Sequence, residues 1–227
     1  FGHDPGRWRD AVSAALAGTL HTGLESGAAP LRLADLPKSK RLDELAFLLS
    51  AQPAASGRSA GEAGVRATEL AELFRRHRAP AQAPDYAEAL AKLDFPALRG
   101  FLKGYIDLVF EHDDRYFVLD YKSNYLGDRF ADYTPPRLAE AMTHGHYYLQ
   151  YHLYVLAVHR YLRLRRADYD YDYDRDFGGV YYLFLKGMSP ATGADSGVYF
   201  DKPARGLIED LDRLFGAPPS PEPRRAP

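Results

Sequence analysis

Apolar and polar positions alternate along residues 101 to 122, on either side of the acidic segment "EHDDR". A period of two is typical of β-strands, and a short polar interruption rich in aspartate is typical of a hairpin turn. We therefore predict strands near 101 to 110 and 116 to 122, joined by a turn centred near Asp113 and Asp114.

Other segments follow the helical period or a second apolar run. Trp8, Val12, Ala15 and Leu16 lie on one stripe of a predicted first helix. Leu42 to Leu49 fits either a short strand or an apolar helical turn, and periodicity does not decide between them. The remaining predictions are a helix within 61 to 78, a helical stretch from the Pro135–Pro136 pair to about Arg166, strands at 178 to 186 and near 197 to 200, and a last helix from about Pro203 to Phe215.

Composition narrows the classes of protein that this pattern can serve. The 227 residues are 46% hydrophobic, which is enough for a buried core. The chain has no cysteine, so disulfide frameworks and thiolate zinc sites are excluded. The net charge of −2 argues neither for nor against a nucleic-acid partner. No apolar run reaches membrane-spanning length and no signal peptide is evident, so we predict no membrane association and a cytoplasmic location.

The organisation along the chain predicts one folded core with appendages. The chain starts without Met, and we expect it to be cut from a longer polypeptide. We assign 1–95 to an amino-terminal helical and linker part, truncated at its start, 96–216 to the core, and the proline-rich 217–227 to a disordered tail. The repetitive "ADYDYDYDRD" at 167–176 is interpreted as a solvated connector.

Three charged residues of the predicted hairpin carry the candidate chemistry. Asp120 and Lys122 are two positions apart on one strand and therefore project to the same side, away from Leu119 and Tyr121. With the turn placed as above, Asp107 falls opposite the far end of the second strand. The three charges are thus expected to converge.

Two neighbouring carboxylates repel each other, and a divalent cation such as Mg²⁺ is the usual partner for such hard oxygen ligands. Bound Mg²⁺ lowers the pKa of water and stabilises charge that develops on a phosphodiester. Lys122 would then orient the water or screen the transition state. The alternative is an ordinary salt-bridged hairpin whose polar face meets water.

The spacing of these residues also resembles a known signature. "GYIDLVF" followed by "LDYKSN" is similar to the G-x-x-D and D-x-K motifs of PD-(D/E)xK nucleases. Together with "LQYHLYVLAVHRYLRLRRADYDY" and "FGGVYYLFLKG", these segments resemble the carboxy-terminal nuclease domains of the RecB-like family over about residues 96 to 216. The resemblance implies an α/β, restriction-endonuclease-like mixed sheet flanked by helices.

The resemblance also implies roles for individual residues. The metal would be held by the carboxylates of Asp107 and Asp120 and by the main-chain carbonyl of Tyr121, whose side chain would face the core, while Lys122 would act in catalysis. A Q-x-x-x-Y motif of the family matches Gln150 and Tyr154, which share a helix face and are expected to contact DNA or the active site. The alternative is that both form the polar edge of a buried helix.

Two features depart from the family pattern. In "LDELAF", Glu44 precedes Phe47 by three residues, but Ala46 replaces a second acid; Glu44 is a candidate helper of the site, and a solvated glutamate is an equally good interpretation. The family's histidine ligand, about a hundred residues before the first aspartate, has no clear counterpart. His21 in "GTLHTGLE" is offset by one residue, and His3 lies close to the terminus.

The function implied is a Mg²⁺-dependent deoxyribonuclease module of exodeoxyribonuclease V type, from a RecBCD-like helicase-nuclease acting in double-strand-break repair and recombination. Expected partners are DNA, chiefly single-stranded, RecC-like and RecD-like subunits, and an upstream helicase part of the same polypeptide. No G-x-x-x-x-G-K-[ST] loop occurs in the chain. The alternative is a non-catalytic DNA-binding or subunit-docking remnant of the same fold.

Overall fold

The computed structural model describes residues 5–51, 64–165 and 171–216. Short 3-10 turns connect several of its elements. The helices and strands, in chain order, are α1 (Pro5–His21), β1 (Arg41–Ala51), α2 (Ala67–His77), α3 (Tyr86–Ala91), β2 (Gly100–His112), β3 (Arg115–Lys122), α4 (Pro135–His144), α5 (Tyr147–Arg165), α6 (Tyr173–Asp176), β4 (Phe177–Phe184), β5 (Val198–Asp201) and α7 (Arg205–Leu214).

The strands form one mixed sheet in the order β1-β2-β3-β4-β5. β1 with β2, β2 with β3 and β4 with β5 are antiparallel, whereas β3 and β4 are parallel and are connected through α4, α5 and α6. A parallel pair needs such a crossover, and the helices in it cover the sheet. The predicted α/β mixed sheet flanked by helices is confirmed. The undecided segment Leu42 to Leu49 lies within strand β1.

Two apolar cores lie on opposite faces of the sheet. The larger one packs helices α2 to α5 and α7 against residues such as Ile106, Val118 and Tyr182. The smaller one packs Leu108 and Leu119 under leucines of residues 24–36. Strand β4 is buried at every position because both of its faces are covered. Residues at the carboxyl end of β3 therefore emerge between covered layers.

The predicted helical stretch from Pro135 to about Arg166 is two helices rather than one. Helix α4 ends at His144, where the Gly145 N–H bonds back to the Ala141 carbonyl at 3.0 Å. His146 then takes a positive φ of 50°, which a continuous helix does not allow. This break sets Tyr147 at the start of a separately oriented helix, α5.

The predicted solvated connector is wrong for the part that the structure describes. Residues 173–176 form α6, in which Tyr173 and Asp176 are each only 2% exposed. The Tyr173 hydroxyl donates to the Pro203 carbonyl at 2.7 Å, and the Asp172 carboxylate caps the helix. A segment of alternating tyrosine and aspartate can bury its tyrosine rings while the aspartates face water. The repetitive polar composition gave no indication of this burial. Residues 166–170 and the predicted disordered tail, 217–227, lie outside the described residues.

Helix α1 is confirmed, although Val12 and Leu16 of its apolar stripe are exposed. Within the described ranges, no helix combines the length and the apolar character needed to span a bilayer. The cytoplasmic location stays a prediction. The division at residue 95 also stays a prediction, and strand β1 from the first part joins the same sheet as the rest.

Candidate active site

The β2–β3 hairpin has the geometry that brings Asp107 next to Asp120. Asp113 and Asp114 take φ of 47° and 60°, the left-handed conformations of a two-residue turn that matches strand twist. His112 pairs with Arg115, and the ladder continues to the pair Leu108–Leu119. The next residues inward from the turn on each strand are Asp107 and Asp120. The predicted register is confirmed.

The Asp107 side chain accepts a hydrogen bond at the position where the backbone pairing between β2 and β3 stops. Its Oδ2 accepts from the Tyr121 main-chain N–H at 2.8 Å, at the point where the β2–β3 pairing ends. This bond fixes the carboxylate beside the Asp120–Tyr121 backbone. Asp107 is also half-exposed, so one side of the carboxylate faces solvent. The arrangement places an anionic oxygen against the main chain of Tyr121, the residue whose carbonyl is the predicted ligand.

Asp120 and Lys122 project to the same side, as predicted, and form an ion pair. Lys122 Nζ lies 2.6 Å from Asp120 Oδ2, and the two side chains are 12% and 5% exposed. Burial raises the pKa of Asp120 above its ordinary value, although the Lys122 ammonium opposes the rise and the Asp107 charge adds to it. Asp120 therefore lies in contact with the Lys122 ammonium and within reach of the Asp107 charge.

Gln150 and Tyr154 on α5 close a ring of polar contacts around this pair. Gln150 Oε1 accepts from Lys122 Nζ at 2.9 Å, and Gln150 Nε2 donates to the Tyr154 hydroxyl at 2.8 Å. Tyr154 in turn hydrogen-bonds to Asp120. Burial, with the charge of Asp120, raises the pKa of Tyr154, which keeps its hydroxyl protonated as a donor. The two motif residues are thus joined to the aspartate and the lysine of the D-x-K strand.

Two tyrosines of the site were not among the sequence-predicted site residues. The Tyr182 hydroxyl donates to Gln150 Oε1 at 2.9 Å, and Lys122 Nζ lies 4.0 Å from the Tyr147 ring centroid and 4.9 Å from that of Tyr182. Tyr182 occurs in an ordinary strand pattern, and its contact depends on the parallel pairing of β3 with β4. Tyr147 is not part of the Q-x-x-x-Y motif. Its position three residues before Gln150, on the same helix face, was a weak indication that Tyr147 lies near the site.

The predicted core-facing side chain of Tyr121 is wrong, since it is 38% exposed. The alternation itself holds, because Tyr121 points away from Asp120 and Lys122 as Leu119 does. The smaller core covers Leu119 and ends before Tyr121 is reached. Burial, followed by the charges of Asp107 and Asp43, raises the pKa of Tyr121, so the ring lies beside the acidic end of the site.

Glu44 lies opposite Asp107 in the sheet. Asp43 pairs with Leu108 and Leu45 with Ile106, so Glu44 occupies the gap between these two pairs. It is exposed and takes a φ of 54°, the left-handed region that favours glycine. The structure therefore places the candidate helper next to the site and leaves its role a prediction.

The structure does not join His21 to the site. His21 is exposed at the last turn of α1, and no hydrogen bond or ion pair within the described ranges joins it to Asp107 or Asp120. His3 lies outside the described residues. Among the residues that the structure describes, no group of three or more acidic, histidine or cysteine side chains is placed to hold a metal ion.

The donors that are present fit a hard divalent cation. They are the carboxylates of Asp107 and Asp120, which meet at the Asp120–Tyr121 backbone and form an all-oxygen set of the kind that suits Mg²⁺ or Mn²⁺. Asp107 also keeps a solvent-exposed side that an ion can approach. Two carboxylates with water and substrate oxygens are an ordinary way for proteins to hold Mg²⁺.

Two aspartates and a lysine lie together where the pairing of β2 with β3 ends, and these are residue types that a metal-dependent nuclease uses. The comparisons with known proteins give the class of protein. The sequence profile of the PD-(D/E)XK nuclease superfamily matches residues 6–223, so the chain belongs to this superfamily. Its members generally use divalent metal ions. The predicted resemblance to RecB-type nuclease domains is confirmed by the relatives described next.

Those relatives carry the name RecBCD enzyme subunit RecB. The protein of Escherichia coli strain K12 is 52% identical over 123 residues, which cover 54% of this chain and 10% of the relative. That of Mycobacterium tuberculosis strain CDC 1551 is 41% identical over 205 residues, covering 86% and 18%. That of Mycolicibacterium smegmatis is 36% identical over 220 residues, covering 91% and 20%. The chain thus spans a tenth to a fifth of the length of these relatives.

Proposed function

We propose that this chain is a deoxyribonuclease module of exodeoxyribonuclease V type, which hydrolyses phosphodiester bonds in DNA with Mg²⁺. The observation that carries the proposal is the convergence of Asp107, Asp120 and Lys122 at the end of the β2–β3 hairpin, in a chain of the PD-(D/E)XK superfamily. Such an arrangement combines anionic metal ligands with a cation that can face a phosphate.

In this proposal the carboxylates of Asp107 and Asp120 and the main-chain carbonyl of Tyr121 would hold the ion. When bound, Mg²⁺ lowers the pKa of water and offsets charge on the phosphate. The Tyr121 N–H, which belongs to the Asp120–Tyr121 peptide, donates to Asp107 Oδ2. This bond links the Asp107 carboxylate to the backbone of Asp120. The backbone bond leaves little freedom for Asp107 to turn away from Asp120.

Lys122 supplies the positive charge next to this carboxylate pair. During hydrolysis a water oxygen forms a bond to phosphorus, a phosphorus–oxygen ester bond breaks, and the leaving oxygen takes up a proton. The ammonium of Lys122 donates hydrogen bonds to the attacking water or to a phosphate oxygen that gains charge. Gln150 and Tyr154 act by orienting Lys122 and Asp120, since their described contacts run to these residues.

The proposed biological setting follows the names of the relatives. They are subunits of RecBCD enzymes, so we infer an assembly with RecC-like and RecD-like subunits and with a helicase part of the same polypeptide. DNA, chiefly single-stranded and freshly unwound, would be the substrate, in double-strand-break repair and recombination. Each of these statements concerns a longer protein than the present chain.

A cleavage assay on labelled single-stranded DNA tests the proposal. We expect cutting with Mg²⁺ and loss of at least a hundredfold in rate for Asp120→Asn and for Lys122→Met, because each removes a charge that acts in the transition state. Asp113→Asn is the matched control, since this aspartate lies in the same hairpin, has an 86% exposed side chain and tolerates asparagine at positive φ.

The same assay decides between the enzyme and a non-catalytic remnant. The remnant is favoured by one observation: within the described residues, no third acidic, histidine or cysteine side chain joins the carboxylate pair in a group placed to hold a metal ion. DNA binding by the wild-type chain without any Mg²⁺-dependent cutting would establish the remnant. Cutting that persists in both substituted chains would show that these residues are not the catalytic centre.

A further inference from the structure

We propose that Tyr147 and Tyr182 form, with Gln150, a seat that positions the Lys122 ammonium, and that both tyrosines are positioning residues for the reaction. The inference rests on the proposed nuclease function of the same site. It adds two residues from different elements, the first residue of α5 and a central residue of β4, to those that the sequence motifs indicate.

The seat surrounds the ammonium on several sides. Lys122 Nζ lies 4.0 Å from the ring centroid of Tyr147 and 4.9 Å from that of Tyr182, within the range at which a ring face attracts a cation. The two rings lie 5.8 Å apart and form one aromatic wall. On another side Nζ donates to Gln150 Oε1 at 2.9 Å. With a side chain only 12% exposed, Lys122 exchanges most of its water for these contacts.

Tyr182 also fixes the orientation of Gln150. Its hydroxyl donates to Gln150 Oε1 at 2.9 Å, the same oxygen that accepts from Lys122. Tyr154 accepts from the amide nitrogen at 2.8 Å. A flipped amide would point its NH₂ group at two donors, so the tyrosine hydroxyls keep the oxygen directed at Lys122.

Tyr147 contacts the segment that follows Lys122 as well as the Lys122 ammonium. Its hydroxyl donates to Asn124 Oδ1 at 3.3 Å, two residues beyond the lysine. The ring packs 6.4 Å from Phe184, the residue that pairs with Lys122 across β3 and β4. The break between α4 and α5 places this ring at the end of the sheet, because Tyr147 is the first residue of α5.

The seat adds to the ion pair with Asp120, which lies 2.6 Å from the ammonium. The ring faces and Gln150 Oε1 are uncharged partners that hold the ammonium from other sides. An ammonium held in this way keeps its position relative to the bond that breaks. Losing the seat should therefore slow the chemical step more than it weakens DNA binding.

Paired substitutions separate positioning from simple packing. For Tyr147→Leu we expect kcat to fall roughly tenfold with KM changed less than about twofold, while Tyr147→Phe, which keeps the ring and loses only the hydroxyl bond to Asn124, should lose much less. For Tyr182→Phe we expect a several-fold loss of kcat, because Gln150 loses one donor. Tyr181→Phe, the neighbour on the opposite face of β4, and Tyr161→Leu, near the other end of α5, are the controls. Melting temperatures should be measured for all variants to check that each one folds.

A spectroscopic measurement tests the seat without reference to activity. In the chain labelled with ¹³C-lysine, the Hε signals of Lys122, assigned by their absence in Lys122→Met, should be shifted upfield by the aromatic rings. Tyr147→Leu should remove most of that shift and Tyr147→Phe should keep it. An unshifted signal in the wild-type chain, or one that Tyr147→Leu leaves unchanged, overturns the seat.

The two measurements together separate the inference from the function on which it rests. A shifted Lys122 signal with equal cleavage by wild type, Tyr147→Leu and Tyr182→Phe overturns the positioning role. A change of KM alone also overturns it. A wild-type chain that does not cut DNA contradicts the nuclease function, and a shift that disappears only in Tyr147→Leu would then support the seat as a structural feature while overturning its role in a reaction.

Discussion

At the scale of single residues, the site combines charges that the fold holds under constraint. Asp120 is buried beside Lys122, Asp107 is tied to a main-chain N–H, and Glu44 opposite it adopts a left-handed backbone conformation. Unfavourable conformations of this kind persist where surrounding structure enforces them, and they occur often at functional sites. Glu44 is therefore the residue whose role a substitution can resolve most simply.

Glu44→Gly should raise the free energy of unfolding by about 1 kcal/mol, because glycine adopts a φ of 54° without the steric cost of a Cβ. If the carboxylate assists the site, cleavage should fall in the same variant and in Glu44→Gln, and this is the outcome we predict. Urea unfolding and the DNA cleavage assay measure the two effects. Arg78→Gly, at a φ of 50° after helix α2, should stabilise similarly without changing cleavage. Unchanged cleavage in both Glu44 variants would identify a solvated glutamate.

Two buried histidines of α5 should make stability depend on pH. Burial lowers the pKa of His152 to about 4, and burial with the nearby Arg163 charge lowers that of His159 to about 4. Unfolded histidine titrates near 6.5, so the unfolded chain binds more protons between these values and stability falls as the pH drops through this window. The expected loss near pH 5 is about 2 kcal/mol for each histidine.

Urea unfolding at about pH 7.5 and about pH 5 measures this loss. His152→Phe provides the comparison, since a ring of similar size fits between Phe74 and Tyr151 and removes a buried nitrogen that has no described hydrogen-bond partner. Its stability should vary less with pH than that of the wild-type chain. An equal pH dependence in the two chains would show that His152 is not responsible.

At the scale of elements, helix α5 connects the site to the rest of the fold. Its first half carries Tyr147, Gln150 and Tyr154 toward the carboxyl end of β3, and its second half is fastened to α7. Arg160 Nε lies 2.6 Å from Asp212 Oδ1, with both side chains less than a tenth exposed. The same guanidinium donates to the Asp212 and Gly216 carbonyls. The orientation of α5 thus depends on a buried charge pair.

Asp212→Ala should destabilise the chain by about 3 to 5 kcal/mol, because it leaves the buried Arg160 guanidinium without its counter-charge. Thermal or urea unfolding measures the loss. Glu209→Ala on the same helix is the control: its pair with Arg205 is 40% to 47% exposed, and a loss below about 1 kcal/mol is expected. Equal losses in the two variants would show that the buried Arg160–Asp212 pair stabilises the fold no more than an exposed pair does.

At the scale of the whole molecule, the elements that sequence predicted well are those defined by local pattern. The hairpin register followed from period-two alternation and an aspartate turn, and the shared face of Gln150 and Tyr154 followed from helical spacing. The break at Gly145 and the burial of Tyr173 were not predicted, because they depend on what packs against each segment. Tyr182 reaches the site through the pairing of β3 with β4, which local pattern does not encode.

The proposed nuclease function depends most on whether Asp107 and Asp120 bind a divalent cation together. Calorimetric titration of Mn²⁺ or Mg²⁺ into the chain, compared with Asp107→Asn, Asp120→Asn and the turn control Asp113→Asn, measures this directly. We predict uptake of metal by the wild-type and control chains and its loss in each of the other two. Equal uptake by all four chains, or no uptake by the wild-type chain, would contradict a shared metal site.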